Sequence, residues 1–262
     1  MSMIRKITAL LLFVMMICGC LASCVGPDDK GQGTPDEALP SDKYTANLRV
    51  VYATDDAKMK DAVSAIGTPT VTLRVDGEEV QILTKAEYDN LSVSAEYILV
   101  DGVLYSSDTL RIGDKTVSEH QRAAISEEGR SSLISKAGPG ADIGIGDFLS
   151  LSKIGSGLNY SYTCEEMTDE SRESLQGLVA KSFEGFGAVV TLESAAYQLE
   201  VKDGRDHSSV LSCNFTVNMD GVDYSLTMHL YADYDYDSEF TISVPQGADD
   251  IFTEVSADGI LG

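Results

Sequence analysis

The sequence predicts an α+β fold, in which a broad, strongly curved antiparallel β-sheet has its apolar face covered by a few short helices. Three observations predict it: apolar residues recur at every second position over long stretches, Asp-Gly pairs punctuate those stretches, and segments with helical spacing are few. Alternation gives a strand one buried face. Asp-Gly supplies the positive φ angles of a tight hairpin, and a helix with a single apolar stripe needs a sheet face to lie on.

The chain opens with Arg5 and Lys6 ahead of the apolar run ITALLLFVMMICG. A secretory h-region is roughly 7–15 residues long, whereas a membrane span needs about 20, so the run predicts export rather than spanning. Leu21, Ala22 and Ser23 then lead into Cys24. This LASC stretch resembles the lipobox of bacterial lipoproteins, in which cleavage before the cysteine leaves it as a lipid-bearing N-terminus. The resemblance implies a signal peptide over residues 1–23, lipidation at Cys24 and an extracytoplasmic protein held to the cell membrane. A competing register, ICGC, ends at Cys20 and puts Cys18 where that pattern has a small or β-branched residue. A Cys-x-Cys metal clamp would need further Cys or His ligands, and none stands nearby. Each buried methylene of a lipid anchor contributes about 0.8 kcal/mol, so a cysteine with two or three acyl chains anchors stably.

From Val25 to Lys43 the chain carries three prolines, three glycines and no periodicity. Residues 24–43 therefore read as a flexible acidic tether with a reach of about 25 Å, and residues 44–262 as one domain. The 262-residue chain has 19 Lys and Arg against 42 Asp and Glu, a net charge of −23. Such a surface repels phosphates, which argues against a nucleic-acid partner and lifts the body off an anionic membrane. Its plain role is to keep an exported protein soluble.

Within the domain, Met59, Ala62, Val63 and Ile66 predict a short helix. Val71, Leu73 and Val75 face Val80 and Ile82 across Asp76-Gly77, and LSVSAEYILVDGVLY folds back at Asp101-Gly102. Ser118–Arg130 (SEHQRAAISEEGR) reads as a mostly polar helix. Thr168 is placed to cap another, with Asp169 and Glu170 at its positive end and Leu175, Leu178, Val179 and Phe183 on one side. Ala195, Tyr197, Leu199 and Val201 form a strand entering a looser turn at Asp203-Gly204. The clearest hairpin follows: Leu211, Cys213, Phe215, Val217 and Met219 alternate up to Asp220-Gly221, and Val222, Tyr224, Leu226, Met228 and Leu230 resume beyond it. Phe240, Ile242 and Val244 suggest a third strand. A sheet of about eight to eleven strands results, broad enough that it should curl or close to protect its edges.

Together with the lipobox and the tether, LVDGVLY, MTDESRESLQGLVAKSF and HLYADYDYDSEFTISVPQGADD resemble the lipoprotein carriers of the LolA and LppX/LprG superfamily over roughly Tyr44 to Asp250. The resemblance implies a half-barrel sheet with helices plugging its concave side and acyl chains held between them. Leu211, Phe215, Val217, Tyr224, Leu226 and Met228 would then be either a filled core or the lining of a slot for a lipid or other apolar ligand, according to how closely the helices pack. The rival expectation is an interaction module with a solid core, meeting another envelope protein through its acidic surface or an exposed sheet edge.

Other chemistry is sparse. With Cys18 and Cys20 removed and Cys24 lipidated, Cys164 and Cys213 remain as an even pair in an oxidising place, open to a disulfide if their Cα atoms come within about 7 Å. Asp233, Asp235 and Asp237 open like a calcium loop, but Ser238 and Val244 stand where Gly and Glu are required. His120, His207 and His229 are the only histidines, and none pairs in sequence with a nucleophile. The glycines of GIGDF and IGSGL lack the spacing of phosphate loops. No catalytic residue, metal or cofactor is expected.

Overall fold

The computed structural model describes residues 43–57, 60, 63, 68–88, 91–126, 145–183, 187–257 and 260. The signal peptide, Cys24 and the tether as far as residue 42 lie outside the described residues. The chain forms β1 (Lys43–Ala53), β2 (Thr70–Asp76), β3 (Glu79–Tyr88), β4 (Leu91–Val100), β5 (Val103–Ile112) and β6 (Lys115–Ala124), then β7 (Phe148–Ser156), β8 (Asn159–Met167) and helix α1 (Asp169–Phe183). It continues through β9 (Val189–Lys202), β10 (Arg205–Met219), β11 (Val222–Asp235), the short helix α2 (Ala248–Ile251) and β12 (Thr253–Glu254).

All twelve strands lie in one sheet, ordered β12-β6-β5-β4-β3-β2-β1-β11-β10-β9-β8-β7. Two antiparallel meanders run outward from a central β1–β11 seam, in which Leu48 faces Ala232 and Val50 faces Leu230. Only β12 pairs parallel, with Thr253 beside Gln121. The tight turns follow the sequence: Asp101-Gly102, Asp203-Gly204 and Asp220-Gly221 all have both residues at positive φ, the geometry that matches a two-residue turn to the strand twist. The turn at Asp203-Gly204 is thus as tight as the others.

The expected half-barrel is not what forms. The sheet is open, neither closed nor strongly curled, and helices do not roof a concave side. Breadth does not force curling here because other parts of the chain cover both faces. On β1, Tyr44, Ala46, Val50 and Tyr52 share one face and divide between two buried clusters that run along it. The helix α1 packs Leu175 and Val179 into the first of these. A third cluster lies on the opposite face: Leu99 and Leu104 belong to the second, while their neighbours Ile98, Val100 and Tyr105 belong to the third, and successive side chains of a strand point to opposite faces.

That opposite face is crossed by the segment after β11. Ser238 bonds Thr45 at 2.9 Å, and Lys43 donates to the Phe240 carbonyl at 2.8 Å. Ile242, Ala248 and Phe252 complete the third cluster, Arg122 pairs with Asp249 at 2.7 Å, and β12 pairs with Gln121 and Arg122 on the edge of β6. Phe240, Ile242 and Val244 are therefore part of a strap across the sheet and not a strand in it.

One helix expectation also changes. Ser118–Ala124 is strand, part of β6, and residues 127–130 lie outside the described residues. Near the start, Ala57, Lys60 and Val63 are helical and Val63 packs against the first cluster, whereas Met59, Ala62 and Ile66 lie outside the described residues. For α1 the cap is as expected, since the Ser171 N–H donates to Thr168 Oγ1 at 3.3 Å. The side chains of Leu178 and Phe183 are outside the described set.

Candidate functional site

The six residues expected to line a ligand slot do come together, through the register of β10 and β11. Phe215 faces Leu226, Val217 faces Tyr224, Leu211 faces Leu230 and Cys213 faces Met228. Their packing decides what they can do. Leu211, Phe215, Val217 and Leu226 are 3, 2, 0 and 1% exposed and Met228 is 7% exposed, while Tyr224 is half-buried. A side chain that a water-sized sphere barely touches leaves no surface for hydrocarbon, so these residues behave as close-packed interior.

Cys164 and Cys213 are buried and free. They sit on β8 and β10 with β9 between them, Cys164 opposite Tyr197 and Cys213 opposite Ala195. Two strand spacings of about 4.8 Å already exceed the reach of a bridge, so the pair left open in the sequence is two separate thiols. Burial pushes the Cys213 thiol up to about 12 and raises Cys164 as well, which suppresses the reactive thiolate.

At the other end of the same face lies a polar group that sequence reading did not find. Ser209 hydrogen-bonds both Tyr197 and Tyr234. A β-bulge between Asp206 and Ser208 places Asp206 opposite Val201, on the buried face. Burial raises the Asp206 carboxyl above its ordinary value. It also pushes Tyr197 and Tyr236 up to about 12, with Asp206 adding to each. Arg205 stands over the Tyr236 ring at 5.1 Å and opposes that shift. The bulge is the only sequence-level obstacle: a strict period of two would have put Asp206 with Ser208 on the solvent side.

The histidines take plain roles. His229 Nδ1 lies 2.9 Å from Ser212 Oγ and His120 Nδ1 lies 3.0 Å from Ser107 Oγ. These are cross-strand bonds, and no carboxylate among the described residues hydrogen-bonds either ring to orient it as a base. Asp235 Oδ1 accepts from the Asp237 and Ser238 N–H groups, so this acidic run ends β11 with a turn. Among the described residues no cluster of His, Cys, Asp or Glu could hold a metal ion, and no helix is long and apolar enough to cross a membrane.

A cluster of exposed apolar residues lies on β7, a strand whose sequence shows no sustained alternation. This strand forms one edge of the sheet, and Leu149, Leu151 and Ile154 on it are 71, 44 and 67% exposed, with Leu158 in the following turn at 59%. The signal in the sequence is FLSLSKIGSGL, residues 148–158, which has four large aliphatic residues and no Asp or Glu. In comparisons with known proteins, the chain matches no family model and no curated protein.

Proposed function

We propose that this chain is a lipid-anchored extracytoplasmic protein that works through its surface, as a non-enzymatic interaction module with a filled core. The close packing of Leu211, Phe215, Val217 and Leu226, the residues that a carrier would need to keep apart, carries this reading. The open sheet supports it too, since the roofed bowl on which a carrier depends is absent. The lipobox-like LASC stretch and the Pro/Gly-rich tether support anchoring at Cys24, and the net charge of −23 supports a soluble body standing clear of anionic lipid.

Solvent extraction of the purified full-length protein followed by mass spectrometry tests the core. The expected result is acyl chains found only in covalent attachment to the protein, released by hydrolysis of their ester or amide bonds and not by solvent. A free acyl ligand in stoichiometric amount would restore the carrier. Cys24→Ala tests the anchor and is expected to leave an unprocessed precursor.

A further inference from the structure

A sheet edge left open is a place where another strand can pair, and soluble proteins ordinarily blunt it with charge, proline, a bulge or a covering segment. This chain treats its two edges differently. At one end β12 covers Gln121 and Arg122 of β6, and the rest of that strand, whose full sequence is KTVSEHQRAA, is polar along most of its length. At the other end, among the described residues, β7 pairs only with β8. Its nine residues, FLSLSKIGS, contain one Lys and no carboxylate. Every other strand except the central β1 carries at least one Asp or Glu. The acids nearest in sequence are Asp147, just before the strand, and Glu165 and Glu166 at the far end of β8, where Glu165 faces Ser150 and Glu166 accepts from it at 3.1 Å.

We infer that β7 is a self-association edge, on which a second copy of this chain pairs antiparallel about a two-fold axis to continue the sheet across two molecules. The inference rests on the surface-module reading and names its partner. Charge distribution selects the occupant. A body with a net charge of −23 repels its own copies over most of its surface, but two β7 edges can meet without opposing carboxylates. Antiparallel pairing is self-complementary, so one edge satisfies the symmetry of a closed dimer. Main-chain bonds would supply the attraction, and Leu149, Leu151 and Ile154 would leave water on pairing. One strand pair lies at the small end of stable interfaces, so the dimer is weak and gains from anchoring, which confines copies to one surface. Since the remaining charges repel, added salt strengthens it.

The test is disulfide trapping in the full-length chain, in membranes of expressing cells. Single cysteines are placed in turn from Leu149 to Ser156, omitting Gly155, where a Cβ would lie 2.8 Å from the Asn159 carbonyl. Residues facing each other across an antiparallel pair are close enough to bridge. At least one position near Ser152 is expected to give a band of twice the chain mass on a non-reducing gel. The unsubstituted chain and Thr116→Cys on β6 are expected to give none. Adding Ile154→Glu should abolish the band, and raising salt should strengthen it.

Failure at every β7 position, a band that survives Ile154→Glu, a band that weakens with salt, or a band whose mass includes a different protein would each overturn self-pairing. A missing band with a ligand-free core removes the dimer alone. A stoichiometric acyl ligand removes the surface-module reading whatever the gel shows.

Discussion

Asp206 shows how one residue's environment sets a pH response. Its carboxyl lies on the buried face opposite Val201, and burial raises its pKa in the folded protein. A group whose folded-state pKa is raised contributes stability that is fully present below the unfolded-state pKa, about 3.9 for Asp. That stability is lost as pH rises through the higher folded-state value, and above that window the charged form carries its whole desolvation penalty. Asp206→Asn keeps the shape and removes the charge. The variant should therefore be more stable than the parent at neutral pH, with the gap narrowing as pH falls through the raised folded-state value and closed below about 4. Urea midpoints for the two proteins at neutral and acid pH would check it. An unchanged gap at both pH values would remove burial of the charge as the cause.

Among the elements, α1 takes over where a strand stops. The β8–β9 ladder ends with Glu165 facing Ala196, so the start of β9 lacks a neighbour on that side. Gln176 Oε1 accepts from the Leu192 N–H at 3.0 Å, and Arg172 donates to the Leu192 carbonyl at 2.9 Å. Two helix side chains thus stand in for a missing strand and fix α1 over the core. Gln176→Ala should cost about 1–3 kcal/mol by leaving that N–H unsatisfied, measured by chemical denaturation, while the exposed Glu173→Ala should fall within about 0.5 kcal/mol of the parent.

Legibility at this scale followed burial. Leu211–Met219 and Val222–Leu230 were plain because one face of each is interior and the other is not. Ser118–Ala124, expected as the start of a helix, is strand because β6 is polar along most of its length, which leaves no period of two to see. Phe240–Val244 was misread for the opposite reason: its apolar residues fall at alternate positions although the segment lies across a sheet face. The candidate lining residues were placed together correctly from alternation, but whether helices press onto them or stand off depends on packing, which alternation does not encode. The group around Asp206 depends on a bulge that no local residue pattern announces.

For the whole molecule, stability rests on covering two faces of one sheet, and the C-terminal strap does this for the face bearing Ile98, Val100 and Tyr105. Ending the chain after Asp235 would remove Phe240, Ile242 and Phe252 from that face and β12 from the edge of β6. The expected result is a protein that scatters light and binds a hydrophobic dye under conditions in which the full chain stays clear. A truncated chain with the denaturation midpoint of the parent would show that the strap adds nothing. The two-meander layout itself was only partly readable, since hairpins announce neighbours in sequence and the β1–β11 seam joins strands far apart in it.

That seam also sets the order of events when the polypeptide is made. The first strand waits for the eleventh, and the sheet's middle stays unzipped until β11 has been made. Contacts between such distant segments form slowly. A newborn chain therefore reaches its final strand pairing later than one built only from neighbouring hairpins.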